Sequence, residues 1–164
     1  MADEQYGDAT ARPPEPDPAL RRLDRFVGAW KVRGRTLDAE EDNVSGRLTF
    51  EWLPGGFFLQ QRVELSFMGF DIAGLEVIGY DPATGRFPST VFASMVGVPI
   101  PYEWDVQSDR VTIRTELAGG ATFTGTWAED GSSMSGGWRP DPGKEGPGNV
   151  AYDISGTRAK ERRS

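Results

Sequence analysis

The sequence of 164 residues contains no cysteine and no histidine. Without cysteine the chain can form no disulfide, no thiolate metal site and no cysteine nucleophile. Without histidine it lacks the commonest metal ligand, the usual general base and the usual proximal haem ligand. A Ser-His-Asp triad is therefore excluded, and carboxylates remain as the strong proton-transfer groups. We expect no metal and no cofactor.

Other absences narrow the range of partners and locations. No apolar run approaches the roughly 20 residues that a membrane-spanning helix needs. The first 18 residues have neither the basic start nor the apolar centre of a signal peptide. We therefore expect a cytoplasmic protein without a membrane partner. The formal net charge is -7 at pH 7 and no basic stripe is present, so we expect no nucleic-acid partner either.

The length fits one domain with a sizeable core. Residues 1–17 combine acidic side chains with Pro13, Pro14 and Pro16 and have few apolar residues. Such a composition cannot offset the entropy cost of ordering, and it predicts a disordered tail. We expect the folded domain over residues 18–158 and a basic C-terminal tail over residues 159–164.

The pattern within this domain predicts one helix followed by strands. Leu20, Leu23 and Phe26 recur at helical spacing after Asp17, a candidate N-cap. From Trp30 onward apolar and polar residues alternate with a period of two, and turn sequences separate the runs. About ten short strands without a second long helix predict an all-β fold. We expect a single antiparallel up-and-down barrel with the short N-terminal helix plugging one end.

The alternation assigns most aromatic side chains to the interior. The residues expected to bind a ligand there are Trp52, Gln61, Met95, Tyr102, Trp104, Phe123, Trp127, Trp138 and Tyr152. Aromatic rings at such positions either fill a core or stack on a flat ligand. The glycines on the same face are Gly34, Gly125, Gly136 and Gly156. They indicate either a void beside large side chains or bends in the sheet, and both interpretations stay open.

Two sets of motifs carry a family resemblance. Gly28-Ala29-Trp30, with Arg158 at the close of the last strand, resembles the calycin pattern of lipocalins and fatty-acid-binding proteins. That resemblance implies that Arg158 packs over Trp30 and closes the barrel floor, as a cation over an indole ring. A second set is similar to the lipocalin-like DUF1579 family of bacterial proteins, and it comprises Met68-Gly69-Phe70-Asp71, Gly74, Gly79-Tyr80-Asp81, Phe87-x-Ser89 and Ser94-Met95.

The DUF1579 resemblance covers about residues 20 to 158 and implies a calycin-like barrel, but no general activity. The chain departs from the family at Val91-Phe92-Ala93, where Trp-Ile-Asp is often found, so a role of that aspartate is missing. Nitrobindin-like proteins of similar shape hold haem through a histidine. This chain has no histidine, so haem held in that way is excluded.

Glu76 is the strongest candidate for acid–base chemistry. It lies in the run from Ile72 to Tyr80, where apolar residues occupy both faces, so the alternation does not fix its direction. If Ile78 faces inward, Glu76 lies in an aromatic pocket that raises its pKa, and it can act as general acid or base with Tyr80 and Gln61 orienting it. In the opposite phase Glu76 points into solvent.

Two connections are unusually apolar for hairpin tips. They span Ser66 to Asp71 and Val96 to Pro101. Apolar loops on a barrel either gate the mouth of a pocket or form a homodimer contact. The sequence favours neither alternative.

Three hypotheses about function follow. The first is a barrel that binds one hydrophobic small molecule, aromatic or polyene-like, because the inward face is aromatic with few polar groups. The second is a cofactor-independent cyclase or isomerase of secondary metabolism that uses the same cavity. The third is a protein-interaction domain with a filled barrel.

Overall fold

The alternation that begins at Trp30 produces a continuous antiparallel meander. The computed structural model describes residues 12–160. The strands are β1 (Gly28–Thr36), β2 (Val44–Trp52), β3 (Leu59–Phe67), β4 (Phe70–Ile78), β5 (Phe87–Ala93), β6 (Ile100–Val106), β7 (Arg110–Thr115), β8 (Ala121–Trp127), β9 (Ser133–Pro140) and β10 (Tyr152–Arg158). Each strand pairs with its neighbours in sequence, and β10 pairs with β1, which closes the barrel. The predicted ten-stranded up-and-down barrel is confirmed.

The period of two places alternate side chains in the barrel interior and on the solvent-exposed exterior. In β1 Trp30 and Val32 are buried, whereas Lys31 and Arg33 are exposed. Short turns connect most strands, and Met68-Gly69 joins β3 to β4 with φ values of 51° and 85°. Positive φ at both central residues is what the tight type I′ hairpin turn requires. A three-residue 3-10 turn, Leu117–Gly119, precedes β8.

The N-terminal plug is a 3-10 helix over Pro18–Phe26. The Asp17 side chain accepts a hydrogen bond from the Ala19 N–H at 2.9 Å, so it caps the helix as predicted. Leu20, Leu23 and Phe26 are all buried. Their spacing of three residues matches the three residues per turn of a 3-10 helix, so all three side chains lie on one face. Each contributes about 2 kcal/mol by burial against the barrel.

Arg158 ties this helix to the barrel floor. Its Cζ lies 4.4 Å from the centroid of the Trp30 ring. Its guanidinium donates to the carbonyl oxygen of Val27 at 3.0 Å and to that of Arg25. The Trp30 indole Nε1 donates to the Phe26 carbonyl oxygen at 2.8 Å. The last strand, the first strand and the end of the helix are therefore joined at one point.

The interior glycines divide between the two interpretations of the sequence. A Cβ at Gly34 would collide with the Asp153 carbonyl oxygen, and a Cβ at Gly136 would collide with that of Thr124. These two positions permit close approach of neighbouring strands. A Cβ at Gly156 would meet only ordinary contacts, the nearest being Val32 Cγ1 at 3.5 Å. Gly156 therefore leaves space in the interior.

The predicted tails lie mostly outside the described residues. Residues 1–11 and 161–164 are not described, and residues 12–17 have no regular secondary structure. The division into a disordered tail, a domain and a basic tail stays a prediction. Within residues 12–160, no helix has the length and apolar character needed to cross a membrane.

We predict that Arg158→Ala lowers the free energy of unfolding by about 1–2 kcal/mol, because it removes two charged hydrogen bonds and one cation–π contact. The free energy of unfolding of Arg158→Lys should lie between those of the wild type and Arg158→Ala, since lysine keeps the charge but loses the planar guanidinium group. Urea unfolding measures both. Arg33→Ala, an exposed arginine on β1, is the matched control. Equal stability of Arg158→Ala and this control would contradict the role in closure.

Candidate functional site

The barrel interior holds a cavity of about 190 Å³. Its walls are mainly apolar and aromatic, and the residues lining it are Phe26, Trp30, Val32, Leu48, Phe50, Gln61, Val63, Leu65, Glu76, Tyr102, Trp104, Val111, Ile113, Phe123, Met134, Trp138, Tyr152, Ile154 and Gly156. An engineered protein cavity of about 150 Å³ binds benzene. This cavity therefore has room for a compact molecule of one or two rings. The third hypothesis required a filled barrel, and the cavity contradicts that requirement.

Glu76 points into this cavity. It lies on β4 between Gln61 of β3 and Val91 of β5, and only 5% of its surface is exposed. Its Oε2 accepts hydrogen bonds from Ser89 Oγ at 2.6 Å and from Trp104 Nε1 at 2.7 Å. The structure thus selects the inward phase of β4, which the sequence had left open.

Burial sets the protonation of Glu76. Loss of water raises its pKa to about 7 from an ordinary value of 4.5, and the two hydrogen bonds lower it only in part. The ion pairs among the described residues lie at the surface, and Glu76 takes part in none of them. Across residues 12–160, no group of three or more acidic side chains is arranged to hold a metal ion.

Two tyrosines share the cavity with this carboxyl group. Tyr102 lies beside Ser89 and Thr115 in the register of β6 with its neighbours. Burial and, next, the negative charge of Glu76 raise the pKa of Tyr102 to about 12, despite a hydrogen bond to Thr115. Burial also raises the pKa of Tyr152. Both phenols therefore keep their protons at neutral pH and present neutral hydroxyl groups.

The structure brings together six of the nine predicted ligand-binding residues. They are Gln61, Tyr102, Trp104, Phe123, Trp138 and Tyr152. The Trp138 ring lies 5.8 Å from that of Tyr102 and 5.7 Å from that of Phe123, measured between centroids. Ser89, which donates to Glu76, was not among the predicted site residues, although it belongs to the Phe87-x-Ser89 motif of the family resemblance. The alternation of Phe87, Ser89 and Val91 in β5 could have identified it as an inward polar residue.

Trp52 and Trp127 do not line the cavity, contrary to the prediction. Each is the last residue of its strand and sits at the helix end of the barrel. Trp52 Nε1 donates to Asp24 of the helix at 2.9 Å. The Trp127 ring packs 5.0 Å from Phe26, beneath the Arg25 guanidinium at 4.0 Å. Both indoles anchor the plug helix instead of facing a ligand.

Met95 and Tyr80 are also misplaced by the sequence analysis. Both follow the end of a strand, so the alternation no longer governs their direction. Met95 is 63% exposed in the loop after β5. Tyr80 lies beyond β4 and packs on Phe87 with 5.0 Å between ring centroids. It is not part of the cavity lining, and Ser89 and Trp104 hold Glu76 in its place.

The two apolar connections noted in the sequence lie at the end of the barrel opposite the helix. The strand directions place the turn between β3 and β4 and the loop between β5 and β6 at this end. Met68, Phe70, Met95 and Val98 are 46–64% exposed there. None of these four exposed side chains lines the cavity itself, among the residues that the structure describes.

Family membership follows from a direct comparison. The profile of the family described as "Protein of unknown function (DUF1579)" matches residues 15–130. The chain belongs to the DUF1579 family. The predicted resemblance is thereby confirmed. No curated protein matches the chain significantly.

Solved structures share the barrel with this DUF1579 protein. Rv2717c from M. tuberculosis is similar with a TM-score of 0.61 and 15% identity, over 89% of this chain and 100% of the other. The S-type phycobiliprotein lyase CPES from Guillardia theta is similar with a TM-score of 0.57 and 16% identity, over 87% of this chain and 93% of the other. At these identities the likeness establishes a common barrel fold.

We predict that Glu76→Gln stabilises the DUF1579 protein at pH 8 and changes little at pH 4.5 and below. Between pH 4.5 and 7 the folded state holds a proton on Glu76 that the unfolded state has lost, so rising pH destabilises the wild type. The difference between the two proteins should grow by on the order of 3 kcal/mol over this interval.

Urea unfolding at several pH values measures this difference. Glu64→Gln, on the exposed outer face of β3, is the control, since it removes a carboxylate from the surface. A Glu76→Gln difference that stays constant between pH 4.5 and 8 would show that the carboxyl group is not desolvated.

Proposed function

We propose that this DUF1579 protein binds one compact, largely apolar small molecule inside its barrel. The aromatic walls pack against the ligand, and Glu76 fixes its polar group. The observation that carries the proposal is the cavity of about 190 Å³ with apolar walls and a single carboxyl group. Pockets of this composition, with few polar groups at fixed positions, are typical of small-molecule sites. The likeness in fold to a phycobiliprotein lyase supports the same proposal.

The size of the cavity sets the affinity to be expected. A compact ligand of about ten non-hydrogen atoms gains on the order of 4–8 kcal/mol, which corresponds to a Kd between about 1 mM and about 1 μM. A method that detects weak binding is therefore required.

Two further points stay predictions. They are a cytoplasmic location, and the use of the two apolar connections as a gate or as a homodimer contact.

We predict that Gly156→Leu abolishes binding of a compact aromatic probe. Gly156 lines the cavity, and a Cβ there meets no backbone atom closer than 3.9 Å, so the leucine side chain can enter the empty volume. The probe is 4-fluorobenzyl alcohol, followed by fluorine NMR. The affinity should fall by about tenfold or more, because the probe loses its space.

The matched control is Ser155→Leu, the neighbouring exposed residue of the same strand. It adds the same side chain to the outer face and should leave the affinity unchanged. Equal affinity of the wild type, Gly156→Leu and Ser155→Leu would place the probe outside the barrel and contradict the proposal.

A second candidate function is cofactor-independent acid–base catalysis, as in an isomerase or cyclase. One observation favours it: Glu76 faces the apolar cavity, and burial there raises its pKa to about 7. A general acid or base works best when its pKa lies near the working pH. In such a reaction the Glu76 carboxylate accepts a proton from a carbon of the bound substrate and returns it elsewhere on the molecule.

We predict that the wild type accelerates exchange of the α-hydrogens of cyclohexanone in D₂O. The ketone gives a proton to the Glu76 carboxylate to form an enolate, and a deuteron from solvent replaces it. Glu76→Gln should lose about 100-fold or more of this acceleration, the usual contribution of a positioned base. Proton NMR follows the exchange, and Glu64→Gln is the control. Equal rates in wild type and Glu76→Gln would eliminate the catalytic candidate and leave binding intact.

A further inference from the structure

Among residues 12–160, the cavity is lined by one ionisable carboxyl group, that of Glu76, and by no side chain of opposite charge. The elements around Glu76 contribute Gln61 from β3, Ser89 from β5 and the hydroxyl of Tyr102 from β6, and Tyr152 of β10 lines the same space. No lysine, arginine or aspartate lines the cavity in the part of the chain that is described. When Glu76 is ionised, its charge is balanced only by neutral hydrogen-bond donors.

The aromatic rings that line the cavity also attract positive charge, as the carboxylate of Glu76 does. Tyr102, Trp104, Phe123 and Trp138 line the cavity together. The face of an aromatic ring carries partial negative charge and attracts cations, more strongly where water is excluded. Carboxylate and rings therefore both favour a positive group in this space and disfavour a negative one.

The two carboxylate oxygens of Glu76 differ in the number of hydrogen bonds that they accept. Oε2 accepts from Ser89 Oγ and from Trp104 Nε1. Among residues 12–160, neither of these donors makes a hydrogen bond to Oε1, and the side chain of Gln61 across from it makes none either. Oε1 is thus the acceptor that remains for a bound molecule, beside the polar amide of Gln61.

We infer that the cavity selects a compact organic amine, whose ammonium group pairs with Glu76 Oε1 and whose hydrocarbon part packs against Tyr102, Trp104 and Trp138. The inference rests on the proposed function and adds the charge class of the ligand. The ammonium supplies the missing countercharge, and its N–H groups satisfy the open oxygen with charge-assisted hydrogen bonds. A neutral alcohol of the same shape makes the apolar contacts and one hydrogen bond to Glu76, but it supplies no countercharge.

A proton competes with the amine for the same carboxylate. Burial raises the pKa of Glu76 to about 7, so below pH 7 the proton occupies the site and the amine must displace it. The affinity for an amine should rise with pH, by up to about tenfold per unit below pH 7, and level off above it. Tyr102 and Tyr152 keep their protons throughout this range because burial raises the pKa of both.

The test compares three probes of nearly equal size by fluorine NMR: 4-fluorobenzylamine, 4-fluorobenzyl alcohol and 4-fluorobenzoate. At pH 8 the amine should bind the wild type about tenfold or more tightly than the alcohol, since a charged hydrogen bond is worth that much. The benzoate should bind most weakly. From pH 5 to pH 8 only the affinity of the amine should rise.

Glu76→Gln should remove the advantage of the amine, so that the amine and the alcohol bind this variant within about twofold of each other. Glutamine keeps the shape and an acceptor for Ser89 and Trp104, and a thermal unfolding scan checks that it folds. Glu64→Gln is the surface control. The comparison of probes on the wild type does not depend on any variant.

The outcomes separate the two levels of the proposal. If the alcohol binds as tightly as the amine, and Gly156→Leu abolishes both, the inference of an amine ligand is overturned and the proposed function stands. If no probe binds the wild type more tightly than Gly156→Leu, the proposed function is overturned as well.

Discussion

The contact between the end of the N-terminal helix and the floor of the barrel determines how the rest of the interior is arranged. Phe26, at the end of the helix, accepts the indole hydrogen bond of Trp30 on its carbonyl oxygen. Its ring meets Trp104 edge to face, with centroids 5.5 Å apart and planes at 82°. Trp104 in turn donates to Glu76. A continuous series of contacts therefore links the closed end of the barrel to the buried carboxyl group and fixes the position of that group.

The buried position of Glu76 lowers the stability of the barrel at neutral pH. A buried carboxyl group without a cation is costly to ionise, and the barrel would be more stable at neutral pH with a neutral side chain there. The aromatic rings around Glu76 and the closed barrel of ten strands nevertheless hold its carboxyl group in the interior. Perturbed carboxyl groups in cavities are enriched at functional sites, which is why Glu76 is central to both proposed functions.

Much of the fold could be predicted because it depends on local periodicity. The period of two fixed the strands, and the spacing of Leu20, Leu23 and Phe26 fixed the plug. The direction of Glu76 could not be predicted, since apolar residues occupy both faces of β4. Only the pairing of β4 with Gln61 of β3 decides it. Trp52 and Trp127 were assigned to the cavity because alternation does not show where a strand ends beside a helix.

The most direct test of the central claim is the titration of Glu76 itself, by carbon NMR on protein labelled at its glutamate carboxyl groups. Glu76→Gln identifies the signal by its loss. We predict one carboxyl signal with a pKa of about 7, which moves to lower pH when 4-fluorobenzylamine is added and stays in place with the alcohol. A Glu76 signal that titrates at its ordinary value of 4.5, or that ignores the amine, would contradict the account.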